Sequence, residues 1–291
     1  MDTKEILKKV RRIQIRTAHV VNDALAGQYH SAFRGRGMEF EEVRPYQIGD
    51  DVRTIDWNVS ARTGEPFVKL FREERELTVM LVADLSASQQ FGTNQQRKRE
   101  LLAEVGATLA FSAIKNNDKI GFVGFTDRIE QFVPPRKGSG HVLRVIRELL
   151  AFEPVGRGTN IKAALEHVNR ILRRRAVVFL LSDLQDTDYE RTLRMTRQRH
   201  DLIVVHLRDR REEQFPAAGL IELVDNETGR TIVVDSASKA WRQQFERLMT
   251  QHEQQLVKRL QRDRIDMISA YTGEPFVEQL IRLFRGRELR R

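Results

Sequence analysis

Apolar and polar positions along this chain follow two regimes that change near residue 77. In residues 3–25, Ile6, Leu7, Val10, Ile13, Ile15, Val20, Val21 and Leu25 recur at roughly helical spacing among basic residues, which predicts an amphipathic helix for packing or partner binding. Residues 27–76 keep no sustained period. Pro45, Gly49 and the Asp50–Asp51 pair punctuate them, and they read as short strands and turns. From Leu77 onward, short apolar runs alternate with helical stretches. The runs "LTVMLVAD" (77–84), "KIGFVGFTD" (119–127), "IEQFVPP" (129–135), "AVVFLLSD" (176–183), "LIVVHLRD" (202–209) and "DMISAY" (266–271) predict strands. Helices are expected over 94–117, near 140–152, over 160–174, 188–199 and about 236–263, and after Pro275, with Thr159 or Asn160 as a cap. "LIELVDNETGRTIVVD" (220–235) reads as a hairpin turning at Asn226–Gly229.

Strands alternating with helices predict an α/β fold, a doubly wound, mainly parallel sheet flanked by helices and Rossmann-like in plan. The expected division is an N-terminal helix and β-rich arm over 1–76, then the α/β domain over 77–291 with the hairpin inserted near 220–235. Open sheets of this kind bind ligands beyond the carboxyl ends of their strands. Functional residues should therefore gather in loops that follow strands. "TGEPFV" occurs at 63–68 and again at 272–277, but the flanks do not match at any long period, so the echo is turn chemistry used twice.

Composition narrows the classes. The 291 residues are 40% hydrophobic and 31% charged, as in a globular protein with a well-charged surface. The absence of cysteine excludes disulfides and thiolate metal sites and suits the cytoplasm. No apolar run approaches the roughly 18–20 residues needed to cross a bilayer, and the start lacks the apolar core of a signal peptide. These features lead us to expect a cytoplasmic protein without a membrane span. The net charge of +9 is concentrated in "KEILKKVRRIQIR", "RRR" (173–175) and "RLFRGRELRR" (282–291). Solvated helix faces account for such runs, with a nucleic-acid surface as the alternative.

The first strand ends in Asp84-x-Ser86-x-Ser88, the second very apolar strand ends at Asp183, and Thr159 lies in the glycine-flanked loop "GRGTN". Asp and Ser are common turn residues, so the first motif alone is weak. Together the three loops offer two carboxylates and three hydroxyls. Such hard oxygen donors suit Mg²⁺ or Mn²⁺, with Ca²⁺ admitted, at bond lengths of about 2.0–2.2 Å for the smaller ions. No His or Cys is placed for Zn²⁺.

Over roughly 77–210, Asp-x-Ser-x-Ser with a later loop Thr and a strand-end Asp resembles the metal-ion-dependent adhesion site of von Willebrand factor A domains. Upstream, "RPYQIGDDVRTIDWNVSAR" (44–62) resembles the signature of domain-of-unknown-function family 58, in its short form without membrane segments. The resemblance implies a von Willebrand factor A-like fold and a divalent cation bound directly by Ser86 and Ser88. Thr159 would join directly or through water, and Asp84 and Asp183 would hold coordinated waters. A partner protein's Asp or Glu would complete the shell. With few carboxylates of its own on the metal, the site keeps its cation electrophilic enough to attract that group. The family context implies a MoxR-type AAA+ ATPase or another A-domain protein as partner, in chaperone-like assembly or remodelling of complexes.

The signature residues Tyr46, Gly49, Asp50, Asp51, Arg53, Asp56, Trp57 and Arg62 fit two readings: a binding surface, or a turn at Gly49–Asp51 with Trp57 as buried anchor and ion pairs of Arg53 and Arg62 to Asp50 and Asp56. Enzyme signatures such as Gly-x-Ser-x-Gly, His-Glu-x-x-His or a Walker-type phosphate loop do not occur. "PRKGSGH" (135–141) lacks the phosphate-loop spacing, and His206 inside an apolar strand reads as packed. We therefore expect a non-enzymatic interaction module. A nucleic-acid-binding protein, and more distantly a metal-assisted hydrolase, are the alternatives.

Overall fold

The computed structural model describes residues 25–33, 37–74, 76–93 and 96–290. The helix expected over 3–25 lies outside these residues except for Leu25. The described residues form two compact units, one within 33–77 and one joining 25–32 to 78–290.

In the smaller unit, β1 (Gly37–Pro45) and β2 (Phe67–Glu74) form an antiparallel pair with a register shift between Phe40 and Glu42. Between them lie a 3₁₀ turn (Val52–Thr54) and helix α2 (Trp57–Thr63). Helix α1 (Ala26–Ala32) precedes the pair. Asp51 caps the turn by accepting from the Arg53 amide at 3.0 Å, and Asp56 caps α2 by accepting from Asn58 and Val59. The expected strand-and-turn arm therefore also contains one short helix. The expected division at 76 places Ala26–Ala32 with the arm, but this helix belongs to the larger unit, where Tyr29 stacks edge-on against Phe284 at 5.8 Å.

The larger unit is built on a six-stranded sheet. In chain order its strands are β3 (Thr78–Asp84), β4 (Lys119–Phe125), β5 (Ile129–Arg136), β6 (Val177–Ser182), β7 (Asp201–Arg208) and β10 (Asp266–Tyr271), and in space the order is β10-β7-β6-β3-β4-β5. Every neighbouring pair is parallel except β4–β5. The interior strands are apolar runs because helices cover both faces. β5 carries Pro134 and Pro135, which an edge strand tolerates.

The helices are α3 (Lys98–Lys115), α4 (Ser139–Ala151), α5 (Ile161–Ile171), α6 (Glu190–Arg199), α7 (Lys239–Arg262) and α8 (Val277–Leu289). One core brings Met80 and Val82 of β3 and Val178 and Leu180 of β6 against Ile161, Leu165 and Val168 of α5 and Leu256 and Leu260 of α7. Side chains alternate along a strand, so the next residues on this face, Asp84 and Ser182, project at its upper rim. Counted outward from β3, the order reverses between β3 and β6, which makes this rim the topological switch point.

A separate hairpin, β8 (Leu220–Val224) with β9 (Thr231–Asp235), stands where the sequence places it. The repeated hexapeptide turns the same way twice. Gly64 has φ 80° and Gly273 φ 73°, both in the left-handed region. The first copy nevertheless exits into a strand and the second into a helix.

Candidate functional site

β3 ends because its last side chain takes over the backbone's hydrogen bonding. Asp84 Oδ1 accepts the Ser86 amide at 3.0 Å, an Asx turn that swings the chain into a 3₁₀ turn at Ala87–Gln90. Meanwhile the Leu85 amide donates to the Phe125 carbonyl. The register that pairs Ala83 with Leu181 sets Asp84 beside Ser182, whose hydroxyl donates to Asp84 Oδ2 at 2.6 Å. The turn in "DLSAS" and the proposed ligand set are thus the same object, since turning is what brings the serines over the strand ends.

From there the oxygens run in a chain. Ser86 Oγ lies 3.0 Å from Ser88 Oγ, and Ser88 Oγ donates to Asp183 Oδ2 at 2.8 Å. The loop carrying Thr159 is tied to the same turn by the Ala87 amide donating to the Arg157 carbonyl. It is seated by Gly156, whose amide donates to Glu130 at 2.7 Å. A Cβ on Gly156 would stand 2.2 Å from Thr126 Oγ1 and 2.1 Å from Asp127 Oδ1, so only glycine fits there. Asn160, not Thr159, caps α5, accepting from the Ala163 amide. This frees the Thr159 hydroxyl, which donates at 2.7 Å to Glu227 of the β8–β9 turn. The structure thus joins Asp84, Ser86, Ser88 and Asp183 directly and reaches Thr159 through Glu227, whose carboxylate also draws on Ser86.

Sequence reasoning missed four charged residues around this rim. Lys98, wholly buried at the start of α3, donates to Asp183 Oδ2 at 2.7 Å and to Glu212 at 2.6 Å. Burial opposes its charge, but Asp183 and Glu212 outweigh burial and raise its pKa. The Arg99 guanidinium is spent on the Leu149 and Phe152 carbonyls, and burial lowers its pKa to about 10 against the pull of Asp84. Glu227 is raised, by burial first and by Asp183 and Asp225 after it. Ser182 was visible as the residue before Asp183, but the other groups arrive from distant elements and leave no local signal. His206 is buried, with one ring nitrogen 3.2 Å from the Asp183 carbonyl and the other 3.5 Å from Glu253.

Among the described residues, no three His, Cys, Asp or Glu side chains gather as a metal cluster. The donors here are mainly hydroxyls, and they fit a small hard cation. An octahedron with bonds of about 2.1 Å has edges of about 3 Å, the separation seen between the Ser86 and Ser88 hydroxyl oxygens. The electrostatics agree. Asp183 and Glu212 share Lys98, and the charge of Asp183 acts on both Asp84 and Glu227 to disfavour their ionised forms. Burial, then repulsion from Asp183, pushes Asp84 from 3.8 up to about 7, the response of a carboxyl lacking a counter-charge. Ser86, Ser88 and Thr159 would hold the ion, with Asp84 and Asp183 behind them, and the ion would supply the missing positive charge.

The signature residues belong to the smaller unit. Trp57 is 69% exposed, which corrects its reading as a buried anchor. It is the first residue of α2, where the Asp56 cap fixes the backbone and leaves the ring outward. The ion pairs also differ from expectation: Asp50 pairs with Arg44 at 2.7 Å and Asp56 with Lys69 at 3.5 Å, while Arg53 and Arg62 are exposed. Gly49 has φ 111°, and Tyr46 donates its amide to the Pro66 carbonyl.

The family profile described as "Protein of unknown function DUF58" matches residues 42–255. The chain is 28% identical over 290 residues to the uncharacterized proteins Rv1480 of Mycobacterium tuberculosis and Mb1516 of Mycobacterium bovis, covering 99% of this chain and 91% of each. Among solved structures it is similar to BatB from Bacteroides thetaiotaomicron, with TM-score 0.48 and 14% identity over 72% of this chain and 98% of that one. It is also similar to the SpRpn10 VWA domain, with TM-score 0.40 and 12% identity over 71% and 94%. The α/β class itself rests on the chain's own strand order.

Proposed function

The chain belongs to the DUF58 family, and from that premise we propose that it is a non-enzymatic, cation-dependent protein-interaction module, an accessory of a MoxR-type AAA+ ATPase in the assembly or remodelling of protein complexes. One observation carries the reading: the hydroxyls of Ser86 and Ser88 stand an octahedral-edge distance apart at the switch point of the sheet, with the Asp183 carboxylate hydrogen-bonded behind them. Around them, Asp84 and Glu227 are carboxyls whose ionised forms a divalent cation would favour. Hydroxyl ligands donate little charge to such an ion, so it keeps affinity for a further carboxylate from a partner. Of the side chains gathered at this rim, Lys98 is bound to two carboxylates, and both it and Asp84 are wholly buried, which suits backing a bound cation better than reaching a substrate.

Affinity capture from a cell lysate tests the reading, run with Mg²⁺ and with chelator, on the wild type and on Asp84→Ala. A MoxR-type ATPase retained only by the wild type and only with Mg²⁺ is the expected result. Retention of the same proteins under all four conditions would sink the reading. Among the described residues no helix is long and apolar enough to cross a membrane.

A further inference from the structure

The β8–β9 hairpin is an odd neighbour for this site. Its strands turn apolar side chains outward, with Leu220 75% and Val233 67% exposed, and a lone two-stranded hairpin has little stability of its own. Its base is fastened by Ser236, which donates its amide and hydroxyl to the Gly219 carbonyl. The turn is rigid. Asp225 accepts the Glu227 amide at 2.9 Å and the Thr228 hydroxyl, the Gly229 amide donates to the Asp225 carbonyl, and Gly229 takes φ 72°. Within 224–230 every residue is exposed except Glu227. That one side chain points into the body of the protein. It accepts from Thr159 at 2.7 Å, and its other oxygen lies 3.9 Å from where a Cβ on Gly158 would stand.

A turn so organised presents a single carboxylate to the hydroxyls that would bind the cation. We propose that Glu227 is the chain's own carboxylate ligand at this site, so that the hairpin caps the cation and a partner's Asp or Glu must displace it. The inference rests on the cation-site reading above. It adds to that reading a ligand from outside the three strand-end loops and a built-in competitor for the partner. A carboxylate ligand raises affinity for a hard cation through its charge. Loss of Glu227 should therefore weaken cation binding and release the tip of the hairpin.

The test is calorimetric titration with Mn²⁺ of the full chain, of Glu227→Gln and of Ser86→Ala, with amide hydrogen exchange over residues 225–229. The expected result is binding by the wild type that falls about tenfold in Glu227→Gln. In addition, Mn²⁺ should slow exchange at the turn in the wild type and leave it unchanged in the variant. If Ser86→Ala loses binding while Glu227→Gln binds like the wild type and the turn exchanges alike with and without Mn²⁺, the cap is wrong and the site stands. If the wild type binds no Mn²⁺, or Ser86→Ala binds as well as it does, the site reading fails and the cap with it.

Discussion

Two buried aspartates stand at carboxyl ends of strands in one sheet, and they have opposite electrostatics. Asp209 follows β7. Its carboxylate accepts from the Thr93 amide and hydroxyl, the Arg211 amide and the Thr272 hydroxyl. Burial pushes its pKa up, but these donors outweigh burial and hold it below 3.8. Asp84 ends β3 and lies deeper in the protein, and with only two donors and Asp183 nearby it rises to about 7. Lys98 links the two regions, pairing with Asp183 on one side and with Glu212 on the other, whose second oxygen accepts the Asp209 amide at 3.3 Å. One aspartate is saturated with donors and pins loops together. The other is short of positive charge, the condition expected of a group meant to serve a ligand.

The largest expected effect comes from breaking the saturated site. Asp209→Ala strands two amides and two hydroxyls, and each buried donor left unpaired costs about 1–3 kcal/mol. Some relaxation and water entry bring the total to about 3–5 kcal/mol, read by urea denaturation near pH 7. The deficit should shrink in acid. A carboxyl whose folded pKa is depressed contributes stability above its unfolded value near 3.8, and that contribution is lost as pH falls through the folded value. Divalent-cation affinity per folded molecule should not change. A loss of affinity equal to that of Asp84→Ala would mean the two regions act as one.

Asp84→Asn should move stability the other way. In chelator near pH 8 the wild type carries an ionised carboxyl that burial and Asp183 disfavour, and the neutral amide relieves this by about 1–3 kcal/mol. The gain should fade toward pH 5. There the wild type binds its proton in the folded state, about 7, well before the unfolded chain does, so wild-type stability rises as pH falls through 7 toward 4. Added Mg²⁺ should stabilise the wild type in proportion to its occupancy and leave Asp84→Asn unmoved. A variant less stable than the wild type near pH 8 would make Asp84 a second Asp209.

This division was only partly legible in the sequence. The runs ending at Asp84 and Asp183 are apolar because parallel strands buried on both faces must be, so their strands and rim positions follow from pattern alone. The hairpin was legible from "DNETG" between alternating residues. The ion partners were not. Lys98 looks like any first-turn lysine, and Glu227 sits 68 residues beyond the threonine it touches. Asp84 and Asp209 look alike as strand-end carboxyls, since what separates them is depth of burial, the nearness of Asp183 and the donors contributed by distant loops. Trp57 misled for a related reason. Its size suggests an anchor, but nothing in "IDWN" says whether the cap at Asp56 turns the ring inward or outward.

The smallest effect gives the sharpest comparison, because it removes the same chemistry from each side. Thr272→Val and Ser182→Ala each delete one hydroxyl that donates to a buried carboxylate. At Asp209 the anion has no easy escape, so Thr272→Val should cost about 1.5 kcal/mol, as for a hydrogen bond to a charged group, and the cost should be equal near pH 6 and pH 8. At Asp84 the anion can take up a proton instead. Ser182→Ala still strands the Leu184 amide that its hydroxyl accepts, a cost that does not vary with pH. To this it adds a penalty felt only while Asp84 is ionised. Its cost should therefore be about 1 kcal/mol greater near pH 8 than near pH 6. Saturating Mg²⁺ should extend the larger cost to lower pH, because a bound cation keeps Asp84 ionised. Equal pH dependence in the two variants would erase the distinction between the sites, and a dependence in Ser182→Ala that ignores Mg²⁺ would keep the raised pKa but detach it from cation binding.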